Sequence, residues 1–367
     1  MEHSLDLTYH WAGFSALVVF VIAYAFVMAE EFTHLRKSKP VVLAAGLIWG
    51  MIAIAYSNTP HYEMVEHEIR HSFLEYTELA FFLLVAMTYI NALEERNVFN
   101  SLKSWLIKNQ FSYRQLFWIT GVLAFFLSPL ADNLTTALVL CAVVVAVGSS
   151  SPKFVGLACV NIVVAANAGG AFSPFGDITT LMVWQAGQLD FLQFFALVIP
   201  SVVNYIIPAS IMHFFVSDHK PDVAETSVTI KYGGKTIILL GLLTIVTAVS
   251  FHNFLHLPPV FGMMTGLAYL QLYSFYIKIN VRDIEEQKYD FFENVARVEW
   301  DTLFFFFGVI LSVGGLGFIG YLEYVSEFMY TDLGATTANV LVGILSAIVD
   351  NIPVMFAVLT MEPAMPD

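Results

Sequence analysis

Charge is what this sequence has least of. Only 13 % of its 367 residues are Asp, Glu, Lys or Arg, about half the share of a soluble domain. With 58 % of residues apolar, the chain cannot cover a globular surface with polar groups, which excludes a water-soluble fold. Cysteine is nearly absent. Cys141 and Cys159 stand alone in apolar runs, without metal or redox spacing, and read as small core residues. A basic stripe with interleaved aromatics is missing too, and the net charge is −14, so nucleic acid is not an expected partner. The opening "MEHSLDLTYHW" lacks the basic stretch of a cleaved signal, so the first apolar run is expected to be a retained helix.

Long apolar runs take the place of charge. They fall near 11–29, 40–57, 73–92, 115–147, 154–186, 191–216, 235–251, 258–277, 300–319 and 336–361, several of them near the ~20 residues that span a hydrocarbon core. The chain reads as an all-α polytopic membrane protein, with the lipid bilayer as its solvent. Fifteen of its 16 Lys and Arg lie in alternate connections, the exception being Arg70. The rich side is expected to be cytoplasmic, which puts the N-terminus outside. The alternation holds only if 115–147 enters and leaves on the same side, as a re-entrant hairpin or as two tightly joined helices. A hairpin accounts better for its polar middle, because irregular backbone at membrane depth must be buried in protein or line a wet cavity.

That polar middle recurs. "SPLADNL" (128–134) and "SAIVDNI" (346–352) share Ser-x-x-x-Asp-Asn-apolar, 218 residues apart. Upstream, "YTELAFFLLVAM" (76–87) aligns loosely with "EWDTLFFFFGVI" (299–310), matching Glu78 to Asp301. The two hairpins start from opposite sides by the charge count. Two such units are the pattern of an inverted-repeat transporter with re-entrant hairpins and broken helices, whose sites lie at those breaks. The organisation expected is N-terminal helices over 1–57, a first repeat over 58–216 with hairpin 115–147 and broken helix 154–186, and linking helices over 217–277. A charged cytoplasmic linker over 278–299 and an incomplete second repeat over 300–367, with hairpin 336–361, complete it.

Four places put polar groups among apolar ones: Asp132-Asn133-Leu134-Thr135-Thr136; Asn167 with Gly169-Gly170; Ser173 through Asp177 to Thr179-Thr180; and Ser346 with Asp350-Asn351. Glycine pairs and prolines interrupt the helical ladder there. An unpaired carboxylate at the bilayer centre costs roughly 3 kcal/mol on insertion scales. Two readings offset that cost. Asp132 and Asp177 can cap half-helices, or they can bind a cation or a proton. Carbonyls, hydroxyls, an amide oxygen and carboxylates form a hard-oxygen shell suited to Na+ or Li+. A buried carboxylate with a raised pKa makes proton and cation competitors for one site. Alternate exposure of that site gives antiport, with no enzymatic step and no cofactor beyond the transported ions. The expected Na+ ligands are Asp132, Asn133 and Asp177, with Asn167, Thr179 and Thr180 adding neutral oxygens or holding broken backbone. Asp350, Asn351 and Ser346 are expected to close the site from the second repeat. Glu78, Asp301, Thr135, Thr136 and Ser173 are expected to line the path or brace it.

The stretches "SPLADNLTTALVL", "NAGGAFSPFGDITTLMVWQAG", "AMTYINALEERNVF" and "SAIVDNIPVMFAVLTM" resemble the NhaD-type sodium/proton antiporters of the ion transporter superfamily. The resemblance covers most of the chain, and the first two motifs are specific to that group. It implies functional residues at Asp132, Asn133, Asn167, Asp177, Thr179, Thr180, Asp301, Ser346 and Asn351. It also implies sodium or lithium exchange for protons in a bacterial inner membrane, and a homodimer. Against that pattern the second unit ends after its hairpin. About two C-terminal helices, with a second small-residue break and its serines, are therefore expected to be missing, marking a fragment or a shortened paralogue that does not transport.

Weaker features carry plainer readings. "HYEMVEHEIRH" (61–71) reads as a solvated external loop, "LKSWLIKNQF" (102–111) as an interfacial amphipathic helix, and "NVRDIEEQKYDFFENVARVE" (280–299) as a solvated charged face. "PFGD" (174–177) approaches an intramembrane aspartyl protease signature but has Pro174 where a glycine is needed. A superfamily permease for arsenite or a carboxylate is the other alternative, and aspartates at both hairpin tips would repel such an anion.

Overall fold

The computed structural model describes residues 5–148, 151–220, 228–280 and 289–361. Among them the regular structure is helical throughout. The first part of the chain forms α1 (Trp11–Met28), α2 (Glu30–Thr33), α3 (Ser38–Tyr56), α4 (Tyr62–Glu95) and α5 (Val98–Lys108). Then come α6 (Tyr113–Ala131), α7 (Asn133–Val147), α8 (Pro152–Gly170) and α9 (Ile178–Gln185). A 3-10 turn over Phe191–Leu197 leads into α10 (Val198–His213), followed by α11 (Gly234–Leu255), α12 (Pro259–Asn280) and α13 (Phe291–Ala296). The chain closes with α14 (Trp300–Ile319), α15 (Tyr321–Ser326), a π-helical turn, α16 (Ala335–Ile348) and α17 (Asn351–Met361). Nine of the described helical segments are long and apolar enough to cross a membrane, while α7, α16 and α17 are shorter. The chain is an all-α, multi-pass membrane protein.

Its residues divide into two compact units, 1–80 with 299–367, and 81–298. In the first, α3 and α14 run side by side in the same direction. Trp49 Nε1 donates to the Leu311 carbonyl at 2.8 Å, and Tyr56 packs on Phe318. Small residues permit the approach: Gly308 lies against the Val41–Val42 backbone and Gly315 against Ile48, the way membrane helices gain close packing without a hydrophobic driving force. Helix α14 ends at Gly320, whose φ of 109° is open to glycine but strained for other residues.

In the second unit α6, α7, α8 and α10 bury Phe117, Phe125, Leu140, Val144, Ile162 and Tyr205 in one core. A capping box starts α6: the Ser112 hydroxyl accepts from the Gln115 N–H and the Gln115 side chain from the Ser112 N–H. Fully buried Asn161 on α8 donates through Nδ2 to the Phe117 carbonyl of α6 at 2.9 Å, tying the two helices together, while its Oδ1 is buried without a partner.

Two stretches differ from the sequence reading. Residues 61–71 are not a loop, since Tyr62 already begins α4, which runs 34 residues, or about 51 Å. No Gly or Pro interrupts it, and side-chain contacts at helical spacing, the Glu66–Arg70 ion pair at 2.7 Å and His71 Nδ1 3.8 Å from Glu75, support the polar turns beyond the apolar run. The stretch 280–299 is not simply a solvated face. Residues 281–288 of it lie outside the described residues, but Tyr289, Phe291 and Asn294 are buried. Asn294 Nδ2 donates to Glu95 Oε2 at 2.6 Å, and the buried Arg96 guanidinium lies 4.9 Å from the centre of the Tyr289 ring. Burial pushes the Tyr289 phenol above its ordinary range. Alternating aromatics and acids read as linker because the sequence does not display the Glu95–Arg96 pair they fold onto.

Candidate functional site

Helix α6 stops one residue short of α7. The residue between them, Asp132, has φ 55° and ψ 160°, a conformation normally left to glycine. Its side chain accounts for its tolerance. Asp132 Oδ1 accepts the Thr135 N–H at 2.8 Å and Oδ2 accepts the Thr135 hydroxyl at 2.7 Å, so the aspartate caps α7. Before the break, Pro129 sits in the last turns of α6, and the Ser173 hydroxyl donates to the Pro129 carbonyl at 3.0 Å. The Ser128 hydroxyl donates to the Ala166 carbonyl at 2.6 Å, tying the end of α6 to α8.

A second break follows α8. Gly170 and Gly176 touch backbone to backbone, leaving no room for a side chain on either. The chain re-enters helix at α9 with Asp177 as its cap: Oδ1 accepts the Thr179 N–H at 2.8 Å and the Thr179 hydroxyl at 2.6 Å. The Thr180 hydroxyl donates to the carbonyls of Ser173 and Asp177, both at 2.8 Å, so broken backbone is held by hydroxyls.

Asn133 joins the two breaks. Its Nδ2 donates to Asn167 Oδ1 at 2.9 Å and to Asp177 Oδ2 at 2.5 Å. Asp132, Asn133, Asn167, Asp177, Thr135, Thr179, Thr180 and Ser173 thus gather where two broken helices meet, all within the second unit. Two helix starts, with their partial positive charge, face carboxylates here. Two helix ends bring main-chain carbonyls, the oxygens with which half-helices coordinate cations. Asn167 is exposed and Asp132 and Asp177 are half-buried, so the cluster is open to small ions. Thr136 is buried, with no hydrogen-bond partner for its hydroxyl.

Ser346, Asp350, Asn351, Asp301 and Glu78 belong to the first unit. Between α16 and α17, Asp350 Oδ1 accepts the Ile352 N–H at 3.2 Å, again as a cap. Its Oδ2 is ion-paired with Lys37 Nζ at 3.1 Å. The ammonium also lies 4.4 Å from the centre of the Phe305 ring, in the second turn of α14. The Ser38 hydroxyl donates to Asp301 Oδ1 at 2.5 Å. Glu78 and Ser346 are half-buried and Asn351 is exposed. The sequence reading missed Lys37, counting it only among the Lys and Arg of the alternate connections. Its place directly before an apolar run, where its stem can reach inward, was the available signal.

Comparison with known proteins now bears on this geometry. A family model described as "Citrate transporter" matches residues 11–367. The chain is 53 % identical to the Na+/H+ antiporter NhaD of Vibrio cholerae over 99 % of its own length and 80 % of the relative's. The chain belongs to this transporter family, among the NhaD-type antiporters. The NhaD of Alkalimonas amylolytica is 52 % identical over 98 % of this chain and 79 % of that protein. Likeness extends to a plant protein, with sodium/proton antiporter 1 of Arabidopsis thaliana 31 % identical over 94 % of this chain and 59 % of the relative.

Proposed function

We propose that the chain exchanges sodium or lithium ions for protons across a bacterial inner membrane by alternating access, and so contributes to pH homeostasis. It works as a transporter, not as an enzyme. The observation that carries this reading is the Asn133 amide holding Asn167 and Asp177 together at the meeting of two broken helices, with Asp132 at the same tip. A carboxylate in a low-dielectric cluster is favourable either protonated or paired with a cation, and the two states exclude each other. Binding Na+ on Asp132 and Asp177 therefore displaces a proton, and releasing Na+ on the other side takes one up. Asn133, Asn167, Thr179 and Thr180 hold that geometry or add oxygens. Ser346, Asp350 and Asn351 form the corresponding tip in the second repeat of an inverted pair, a reading supported by the recurring Ser-x-x-x-Asp-Asn frame. The one-sided Lys and Arg distribution supports an external N-terminus.

The relatives named as antiporters agree with this chemistry. A citrate-like substrate, as the family model's description has it, would meet carboxylates at the tip. The test is sodium-driven proton movement in everted vesicles from a host without its own antiporters. Proton release on adding sodium, lost in Asp132→Asn with folded protein retained, is the expected result. Exchange by Asp132→Asn at normal sodium affinity sinks the site. Citrate uptake without sodium-driven proton movement sinks the function.

A further inference from the structure

A cavity of about 680 Å³ opens at the start of α6 and the end of α10, at the other end of α6 from the Asp132 break. Phe111, Arg114, Trp118, His213, Asp218 and Lys220 line it. Its charges are not balanced. The one carboxylate, on Asp218, accepts from the Ser112 hydroxyl at 2.8 Å, and among the described residues neither Arg114 nor Lys220 is ion-paired. Arg114 donates through Nη2 to the Val216 carbonyl at 3.2 Å, which fixes the guanidinium in place. Its Nε is buried without a partner, and a buried donor left unsatisfied costs about 1–3 kcal/mol. Trp118 Nε1 donates to His213 Nδ1 at 3.0 Å, which sets the indole as a flat wall.

Position identifies the ligand. Both α6 and the segment ending in α10 are long and apolar enough to span, and the cavity sits where the first begins and the second ends, on a Lys/Arg-bearing side. Phe214 and Phe215, next to His213, expose 81 % and 59 % of their surface, an apolar flank beside two unpaired cations. Headgroup phosphates lie at that level of a bilayer, with acyl chains beneath them, and basic pockets between spanning helices suit anionic lipid. We propose that this cavity binds an anionic phospholipid by its phosphodiester, with Arg114 and Lys220 as the cationic clamp and Trp118 as the wall. The lipid oxygens occupy the place of a counter-ion that the described residues do not supply.

The full chain, purified in a neutral detergent, is titrated with phosphatidylglycerol, phosphatidylcholine or inorganic phosphate and followed by native mass spectrometry. Phosphatidylglycerol is expected to bind in preference to phosphatidylcholine, and inorganic phosphate should not displace it. Arg114→Gln with Lys220→Gln should weaken binding roughly 30-fold. Lys220→Gln alone, which alters an exposed side chain and leaves folding untouched, should weaken it roughly fivefold. Lys103→Gln with Lys278→Gln removes the same charge elsewhere and should change binding less than twofold. Equal loss in the control pair would reduce the effect to general surface attraction. Full binding by the double variant, or displacement of the lipid by phosphate, would equally overturn the proposal.

Discussion

At Asp132 and at Asp350 one Ser-x-x-x-Asp-Asn frame breaks a helix pair, and each aspartate accepts an N–H from the first turn of the next helix, that of Thr135 or Ile352. Beyond that cap the two copies part. The first frame's serine bonds the Ala166 carbonyl and its asparagine reaches Asn167 and Asp177. The second frame's Asn351 is exposed, and its aspartate is paired with the Lys37 ammonium. Around the first tip, Asp177 accepts from an amide, an N–H and a hydroxyl, all neutral. These keep a carboxylate in place without cancelling its charge, whereas a lysine cancels it. A repeated motif thus gives one tip beside which Asp177 is held by neutral donors and one whose own aspartate is paired with an ammonium.

The sharpest way to break this comparison is Asp132→Gly. Glycine fits φ 55° without strain, which is worth about 1–3 kcal/mol, and as a cap it falls only a few tenths of a kcal/mol short of aspartate. The variant should melt at or above the wild-type temperature yet show no sodium-driven proton exchange. A melting temperature several degrees lower would mean that the carboxylate is there mainly for the fold. Next in size is Asn133→Ala, which leaves Asp177 without its amide donor. Losing a hydrogen bond to a charged group costs about 2 kcal/mol, so apparent sodium affinity should fall roughly 30-fold while vesicle insertion is unchanged. At the second tip, Lys37→Gln should lower stability by about 1–2 kcal/mol, because these half-buried groups are 31 % and 23 % exposed and fall short of a fully buried pair. Lys37→Gln with Asp350→Asn should restore most of that loss, and a double-mutant cycle on thermal melts measures the coupling. Additive losses would show that the pair is incidental. The smallest effect is Arg70→Gln on the polar end of α4. Its partner Glu66 is as open to solvent as it is, so a change under about 0.5 kcal/mol is expected.

Where apolar length alone decides, the sequence was legible: α1, α3, α11, α12 and α14 lie within a few residues of their apolar runs. The break at Asp132 was legible as well, because the run 115–147 is too long for a single crossing and carries its polar cluster in the middle. The start of α4 was not, since side-chain contacts at helical spacing and the absence of Gly and Pro outweigh polarity, and composition reports only polarity. The buried end of the 280–299 stretch was hidden for a related reason, its partners Glu95 and Arg96 being far away along the chain. Capping and ion binding stood as rival readings of Asp132 and Asp177. Both residues do cap, and the proposed function assigns ion binding to the same carboxylates, so under that proposal the two roles coexist on one side chain.

That coexistence has a practical side. The oxygens proposed to receive the cation are those that hold the amide protons of Thr135 and Thr179. An ion that draws a carboxylate toward itself loosens the opening turn of α7 or α9, and those two amides become free to trade with solvent. Backbone hydrogen exchange at just two positions would then gauge site occupancy, even in a variant that transports nothing.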